Sequence, residues 1–299
     1  MVQLISETRD EAAAAKRIAA DLANLGLCEH DTVLVRSATR FMTVPTRSRP
    51  GALLDGIRKV VGPRGTIVAL AFTPDFYPWQ RKRAAAVPFH RDAKSETGAL
   101  PQILVSNPDA VRSMHPTNSF VAVGPNARSL LEGHGEKATA FYPIERLIEL
   151  GGKLALIGCV RSSPGFSTVH RAQEALGLAD RSLLSNLRIC AVRDGDVIRF
   201  FSRKDVSGCS EGFWKFYEKY EQEGILHKGT VGGAPSILAN AAAAYRIERE
   251  ILAQDPTFAF CDDPACTSCG LRTYSPARMA RFFVSVPQKI ARGIFGGRR

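Results

Sequence analysis

The chain has 299 residues, of which 45% are hydrophobic and 23% are charged, and its 40 Lys and Arg against 29 Asp and Glu give a formal net charge of +11. This composition excludes wholesale disorder, and the length predicts one large domain or two small ones. No apolar run approaches the ~20 residues of a membrane-spanning helix, and the first residues lack the apolar segment of a secretory signal, so we expect a cytoplasmic protein.

Helical and strand patterns alternate along the first half of the chain. Residues 8–25 have helical apolar spacing and end at Gly26, and residues 31–38 form a β-branched run typical of a buried strand. The alternation then predicts a helix at 50–61, strands at 65–72 and 119–124, helices at 125–133 and 143–150, and a strand at 153–158. Short turns between such elements predict an α/β sheet with helices on its faces.

The second half adds a helix at about 168–177 and two strands, LRICAVR and VIRFFS, around a tight turn at Asp194 and Gly195. This pair predicts a β-hairpin and, with it, a mixed sheet. The spacing over 234–254 predicts one long helix. We therefore expect a three-layer α/β domain over residues 1–255, with a mixed β-sheet between helices on both faces, and a C-terminal extension over 256–299.

Two polar segments lie next to predicted strands, at the sheet edge where ligands bind in α/β folds. The first, RSMHPTNS at 112–119, directly precedes an apolar strand and follows a long irregular loop at 73–98. The second, SSPGFSTVHRAQEALG at 162–177, places Thr168 and His170 at the start of a helix. An imidazole beside backbone N–H groups is well placed for proton transfer next to a developing anion.

The order of these motifs resembles the aminoglycoside 3-N-acetyltransferase family. The resemblance rests on G-x-LP and R-S-x-HP-x-x-S-x-x-A-x-G, followed by a strand ending in IG and a T-x-H-x-A helix start. The segments LGLCEHDTVLVRSA, VGPRGTIVALAFT and KGTVGGAPS match as well, so the resemblance covers roughly residues 8–255. It implies transfer of an acetyl group from acetyl-CoA, the acyl donor, to a small-molecule amine.

The resemblance also assigns the general base to His170, which would deprotonate the amine for direct attack on the thioester. The family usually has Glu three residues after this histidine, whereas this chain has Gln173 there and Glu174 about 100° further round the helix. Glutamine accepts a hydrogen bond from the ring but cannot stabilise an imidazolium by charge. Either Glu174 or another acid supports His170, or the base works with less support. A non-catalytic or differently specialised binding protein on the same scaffold is the alternative function.

Several polar residues of these segments are candidates for binding the coenzyme. Cationic and hydroxyl side chains at strand ends suit phosphate or pantetheine amide groups. The candidates are Arg36, Ser37, Arg112, Ser113, His115, Ser119 and Thr168. Their structural alternatives are surface ion pairs for the arginines, a rigid His-Pro turn for His115, and backbone capping for the hydroxyls.

The charge balance bears on the partners. Aminoglycosides are polycations, yet the long loop at 73–98 offers only three acids, Asp75, Asp92 and Glu96. An amino sugar with a single amino group, or an acceptor carrying phosphate, fits this balance better. No motif of a nucleic-acid-binding module accompanies the basic charge, so we expect no nucleic-acid partner.

Three cysteines of the extension have metal-ligand spacing. Cys261, Cys266 and Cys269 form C-x4-C-x2-C, which predicts a structural zinc site rather than an iron–sulfur cluster, because no cysteine follows Cys269 to complete a cluster. Cys209 or His227 is a candidate fourth ligand. Three free thiols in a surface loop are the alternative, since seven scattered cysteines predict reduced thiols.

The basic tail from residue 276 carries two amphipathic segments that Pro287 is expected to separate. Their apolar positions recur every three or four residues and are Met279, Phe282, Phe283, Val286, Ile290, Ile294 and Phe295. Segments of this kind either lie on an anionic membrane surface or dock onto the domain itself or a second subunit.

Overall fold

The computed structural model describes residues 2–45, 48–204 and 208–295, with side chains from residue 9 to residue 289 within these ranges. The helices are α1 (Val2–Leu25), α2 (Arg49–Val61), α3 (Arg81–Ala86), α4 (Ala99–Val105), α5 (Ala127–Leu131), α6 (Tyr142–Glu149), α7 (Thr168–Ala175), α8 (Phe216–Gln222), α9 (Ala241–Gln254), α10 (Thr267–Gly270) and α11 (Pro276–Phe295). The strands are β1 (Thr32–Ser37), β2 (Thr66–Leu70), β3 (Val111–Arg112), β4 (Phe120–Val123), β5 (Lys153–Ile157), β6 (Arg188–Asp194), β7 (Val197–Arg203), β8 (His227–Val231) and β9 (Ala234–Asn240).

Seven strands form one mixed sheet in the order β3–β4–β2–β1–β5–β9–β8. Strand β1 pairs in parallel with β2 and β5, whereas β4 and β9 pair antiparallel with β2 and β5 respectively. The predicted mixed sheet is confirmed, but its mixed character comes from these outer strands. The predicted β6–β7 hairpin is confirmed as well, yet it forms a separate two-stranded sheet that bridges to the long loop at Phe76 and Phe89.

The two faces of the large sheet are both buried. Along β1, Val33 and Val35 pack with α1, α2 and α4, and Leu34 between them packs with the layer that contains α6, α7 and α9. Successive side chains of a strand point to opposite faces, so a continuous apolar run buries both. The three-layer arrangement predicted from the sequence is confirmed.

The prediction of one helix over 234–254 is wrong for the first seven residues of that range. They form β9, which pairs with β8 across a turn at Gly232 and Gly233, both with positive φ (57° and 79°). Helix α9 begins only after Asn240, whose side chain accepts a hydrogen bond from the Ala243 N–H at 3.0 Å. A short apolar run fits a helix or a buried strand equally well, and the Gly-Gly pair was the signal for a hairpin.

The basic tail is one continuous helix, so the expected break at Pro287 is wrong. The hydrogen bond that Pro287 cannot donate would end on the carbonyl of Phe283, which lies on an exposed side of the helix where water can replace it. Phe282 is buried against Gly270, where an added Cβ would lie 2.4 Å from the Phe282 ring. The first half of the tail therefore docks onto the protein's own α10.

Contact of the tail with a membrane or with a second subunit stays a prediction, since Ile290, Ile294 and Phe295 lie beyond the described side chains. Within the described part of the chain, no helix has the length and apolar character that crossing a bilayer requires. The domain boundary at residue 255 also stays a prediction. Ala259, just beyond it, packs in the main core beside α9.

Candidate active site

A cavity of about 430 Å³ opens where the carboxyl ends of the parallel strands meet. Arg36 and Ser37 reach it from the end of β1, Leu70 from β2, Cys159 from the turn after β5, and His170 from the first turn of α7. Strand β1 has β2 on one side and β5 on the other, so the connections that follow these strands run to opposite halves of the sheet. Open α/β sheets bind ligands in the crevice that forms at such a point. Three of these residues, Arg36, Ser37 and His170, are candidates from the sequence analysis, and Cys159 belongs both to the cavity wall and to the core beneath it.

Aromatic contacts fix the ring of His170. It stacks on Phe141 with 4.5 Å between ring centroids, and its edge meets Phe213 at 4.9 Å. Its Nδ1 lies 3.3 Å from Oε1 of Gln173. Because an amide oxygen only accepts hydrogen bonds, Nδ1 carries the proton and Nε2 keeps its lone pair. The geometry presents a neutral imidazole that can accept a proton.

The pKa of His170 is lowered to about 3, mainly by burial; the hydrogen bond to Gln173 opposes this shift, and the positive charges of Arg36, Arg272 and Arg203 add to it. A lowered pKa on an imidazole favours the neutral form. At neutral pH the ring is therefore available as a base without first losing a proton.

Gln173, and not Glu174, is the hydrogen-bond partner that the structure gives to His170. The Glu174 carboxylate accepts from the Phe141 N–H at 2.9 Å and contacts the Arg171 guanidinium at 3.4 Å. It thus fixes the residue on which the His170 ring stacks. Among the alternatives left open by the sequence, these contacts favour a base whose ring is held by Gln173, with Glu174 acting on the backbone of Phe141.

The RSMHPTNS segment lies mostly behind the cavity wall. Arg112 donates to the carbonyls of Ala71 (2.7 Å) and Arg91 (3.0 Å), and to Oγ of Ser119 (3.1 Å). Ser119 in turn donates to the carbonyl of Ala71 at 2.6 Å. Both side chains are buried and satisfy backbone groups of the sheet edge. These contacts give Arg112 and Ser119 a structural role, and their contact with the coenzyme stays a prediction.

Ser113 and His115 also make internal hydrogen bonds, and their contact with the coenzyme likewise stays a prediction. The Ser113 hydroxyl accepts from the Phe120 N–H at 2.8 Å, and Nδ1 of His115 accepts from the Asn118 N–H at 3.0 Å. Both residues are buried, because the turn between β3 and β4 is covered and its polar groups need internal partners. The rigid-turn alternative for His115 is the one that the structure supports.

Thr168 is also a core residue rather than part of the cavity. It is fully buried, and its hydroxyl donates to Oε1 of Glu248 at 2.7 Å, an oxygen that also accepts from the Tyr220 hydroxyl. Oε2 of Glu248 has no partner among the described residues. In this structure the Thr168 hydroxyl belongs to this buried network, and its contact with the coenzyme stays a prediction.

Glu248 should make the stability of the protein pH-dependent. Burial raises the pKa of Glu248 from its ordinary value of 4.5 to about 8. Between these values the unfolded chain has lost a proton that the folded chain keeps, so the free energy of unfolding falls as the pH rises. We expect Glu248→Gln to remove this contribution, so that the variant gains Tm relative to wild type between pH 5 and 8. Thermal unfolding across that range measures the difference, and parallel curves would contradict it.

Two donors in the cavity have no partner among the described residues. They are Oγ of Ser37 and Nδ2 of Asn118, and both residues line the cavity. An unsatisfied buried donor costs about 1–3 kcal/mol, so both positions favour a ligand that brings acceptor oxygens. The sequence analysis did not single out Asn118. It lies in a run of polar residues, and nothing in the sequence shows which of them faces the cavity.

Arg36 brings a cation to the cavity without a carboxylate partner among the described ion pairs. It donates to the carbonyls of Gly165 (2.7 Å) and Ser163 (3.2 Å) and to the Ser163 hydroxyl. Burial lowers the pKa of Arg36, but a guanidinium stays charged in proteins. Its charge can therefore act on an anionic group in the cavity.

Acidic groups are scarce at the site. Of the three acids singled out in the long loop, Asp75 is held by Arg188 and by Arg203 (3.2 Å), and Asp92 lies outside the cavity. Glu96 is the single carboxylate among the described residues that line the cavity.

The predicted metal ligands do come together. The Sγ atoms of Cys261, Cys266 and Cys269 lie with that of Cys209 in a group whose members are all within 4.8 Å of one another. His227 is not in this group; it lies on β8 beside Gly26. Of the two candidate fourth ligands, the structure selects Cys209.

Comparison with known proteins places this architecture in one family. The family profile described as Aminoglycoside 3-N-acetyltransferase matches residues 34–253. "Aminoglycoside N(3)-acetyltransferase VIII" of Streptomyces fradiae is 34% identical over 256 residues, which cover 77% of this chain and 88% of that protein. "Aminoglycoside N(3)-acetyltransferase VII" of Streptomyces paromomycinus is 31% identical over 253 residues, covering 75% of this chain and 86% of that protein.

A solved structure described as "AAC-IIIb binary with CoASH" superposes with a TM-score of 0.65 at 26% identity, covering 80% of this chain and 96% of that one. Sequence and fold therefore agree, and the chain belongs to the aminoglycoside 3-N-acetyltransferase family of enzymes.

Proposed function

We propose that this chain transfers the acetyl group of acetyl-CoA to an amine of an aminoglycoside or a related amino sugar, with His170 as the general base. The observation that carries the proposal is the neutral His170 ring in a cavity at the carboxyl ends of β1 and β5. The CoASH complex of a similar protein supports the choice of donor, and the names of the relatives support the class of acceptor.

The proposed reaction is a direct transfer. The amine nitrogen attacks the thioester carbon, the C–S bond breaks, and the products are an amide and coenzyme A. The nitrogen of the tetrahedral adduct is a strong acid, so a weakly basic imidazole suffices to take its proton at Nε2. That proton then passes to the departing thiolate, which leaves as the thiol and restores the neutral ring.

Three groups of the cavity are suited to the oxygen atoms of the reactants. The unpartnered donors of Ser37 and Asn118 would hold carbonyl oxygens of the thioester or of the pantetheine arm. The Arg36 cation would stabilise the negative charge that develops on oxygen or sulfur, an effect that is strongest in a cavity with little water. Roles of this kind explain why polar groups remain without internal partners here.

The charge of the cavity favours acceptors with few amino groups. Arg36 and Arg40 line it, against Glu96 as the single described carboxylate. This excess of positive charge would repel a polycation strongly and a monoamino sugar less, and it would attract the phosphate of a phosphorylated amino sugar. We infer that the preferred acceptor is a monoamino sugar or an amino sugar that carries phosphate.

An acceptor panel tests the proposed function. The full-length protein is incubated with acetyl-CoA and either a polycationic aminoglycoside, glucosamine or glucosamine 6-phosphate, and the acetylated product is identified by mass spectrometry. We expect acetylation that depends on the protein, with the two small amino sugars preferred over the polycation. Thermal stabilisation by acetyl-CoA without acetylation of any acceptor would favour the binding-protein alternative. Absence of any interaction with acetyl-CoA would contradict both.

A further inference from the structure

The four clustered thiols have the geometry of a metal centre. All Sγ atoms lie within 4.8 Å of one another, and the cysteines are free rather than disulfide-bonded. A tetrahedral zinc with Zn–S bonds of about 2.3 Å places its sulfur ligands about 3.8 Å apart, so small side-chain adjustments close the group around an ion. Four sulfur ligands without an open position are typical of structural zinc.

The ligands come from two distant segments of the chain. Cys266 immediately precedes α10, Cys269 lies within it, and Cys261 lies in the loop before it. Cys209 comes from the loop after β7. Cys261 and Cys269 are buried, while Cys209 and Cys266 are half-buried. An ion bound to all four would fasten the loop at 208–212 to the segment at 261–270.

Basic side chains lie beside the cluster, and Arg278 contacts it directly. Arg278 donates to the carbonyl of Cys261 at 2.8 Å and lies 4.0 Å from its Sγ. Lys215 donates to the carbonyl of Phe260 at 2.7 Å and pairs with Asp262 at 3.1 Å, and Lys289 pairs with Asp263 at 2.8 Å. These two lysines balance neighbouring acids, so that among the described residues Arg278 is left as the cation at the thiols. A zinc ion with four thiolates carries two negative charges, and cations in the surrounding shell stabilise such a site.

The loop that carries Cys209 also forms part of the cavity wall. Gly208 and Ser210, on either side of Cys209, both line the cavity. An added Cβ at Gly208 would lie 3.0 Å from Cε1 of His170, so the loop backbone packs directly on the catalytic ring. At Gly212 an added Cβ would lie 2.4 Å from the carbonyl oxygen of Phe260. The loop is thus held between His170 and the segment with the other three cysteines.

We propose that the chain binds one Zn²⁺ through Cys209, Cys261, Cys266 and Cys269, and that this ion positions the loop at 208–212 against His170. Binding converts four thiols to four metal-bound thiolates and releases their four protons to solvent. Zinc is neither oxidised nor reduced and takes no part in acetyl transfer. Cys209 is accordingly a positioning residue, and only this second part of the proposal rests on the function proposed for His170.

Elemental analysis of the full-length protein, purified from zinc-containing medium without chelator, tests the site. We expect about one zinc per chain, given the tight binding of thiolate zinc sites. Cys209→Ser should lower the zinc content and its affinity at least tenfold, and His227→Ala, the matched control, should keep the ion. Below ~0.2 equivalents of zinc in wild type, or iron with sulfide in its place, would overturn the proposal. Since wild type alone decides occupancy, misfolding of a variant does not obscure the result.

Hydrogen–deuterium exchange tests the positioning role without reference to activity. Removal of zinc from the wild-type protein should increase exchange at 208–212 and at the start of α7, and added Zn²⁺ should reverse the increase. The KM for acceptor should rise more than tenfold on zinc removal if the loop shapes the cavity. Unchanged exchange at 208–212 would overturn the positioning role. A protein that binds zinc and shows the reversible exchange but acetylates nothing would instead refute the proposed function alone.

Discussion

Replacing His170 with alanine is expected to lower kcat by ~10²–10⁴-fold, the usual contribution of a general base. The variant should bind acetyl-CoA nearly as well as wild type, because the unpartnered donors at Ser37 and Asn118 and the Arg36 cation remain in place. Steady-state kinetics with the best acceptor of the panel, together with calorimetric binding of acetyl-CoA, measure both quantities.

His227→Ala is the matched control, since His227 is exposed on β8 and lies outside the cavity. It should leave kcat within about twofold of wild type. A loss below tenfold in His170→Ala, or an equal loss in His227→Ala, would remove His170 from the chemistry.

The pH dependence gives a second check on His170 in the same experiment. Because its pKa is lowered to about 3, mainly by burial, the ring is neutral from pH 5 to 8. Its protonation therefore causes no fall of kcat/KM towards low pH in this range. Any fall of kcat/KM with decreasing pH in this range then reflects protonation of the amine. The pH at which kcat/KM falls should therefore change when an acceptor with a different amine pKa is used. A fall of kcat/KM near pH 6.5 that is the same for every acceptor would contradict a buried, neutral His170.

Arg36→Met is expected to lower kcat/KM for acetyl-CoA by about 10–100-fold. A hydrogen bond to a charged group contributes about 1.5–3 kcal/mol, and each 1.4 kcal/mol corresponds to a factor of ten. The substitution also removes the contacts to Gly165 and Ser163, so a lower Tm accompanies it. Kinetics with varied acetyl-CoA, at a temperature where the variant is folded, measure the effect.

Arg36→Lys separates charge from structure in this prediction. Lysine keeps the positive charge but lacks the planar, forked donors that hold two carbonyls at once. If the cation acts on the reactants, the lysine variant should recover at least part of the lost kcat/KM while its Tm stays low. Equal kinetic losses in the lysine and methionine variants would assign Arg36 a structural role only.

The parts of the fold that followed from the sequence are those set by local pattern. The run Thr32–Ser37, with buried residues on both faces, reads as a central strand because apolar side chains succeed one another without alternation. The stretch Ala234–Asn240 gave the same kind of signal and was misread, because a helix-forming alanine run follows it directly. Asn240 marks the boundary only through a cap that is visible in three dimensions.

For the site, the sequence could not show which of several similar polar residues face the cavity. Arg112 and Arg36 are chemically alike in sequence, and both donate to backbone carbonyls in the folded protein. Only Arg36 lines the cavity, a difference that the folded sheet edge creates. Similarly, spacing within one loop identified three thiols, whereas the fourth, Cys209, is about 50 residues away in sequence. Contacts between distant segments decide which polar residue is structural and which faces a ligand.

A crystal structure of the full chain with coenzyme A tests most directly whether acetyl-CoA and the amine meet at His170. The pantetheine sulfur should lie in the cavity lined by Ser37, Asn118 and His170, with at least one of the two unpartnered donors bonded to a carbonyl of the coenzyme. A coenzyme whose sulfur lies in any other cavity, with Ser37 and Asn118 still without partners, would contradict the proposed site.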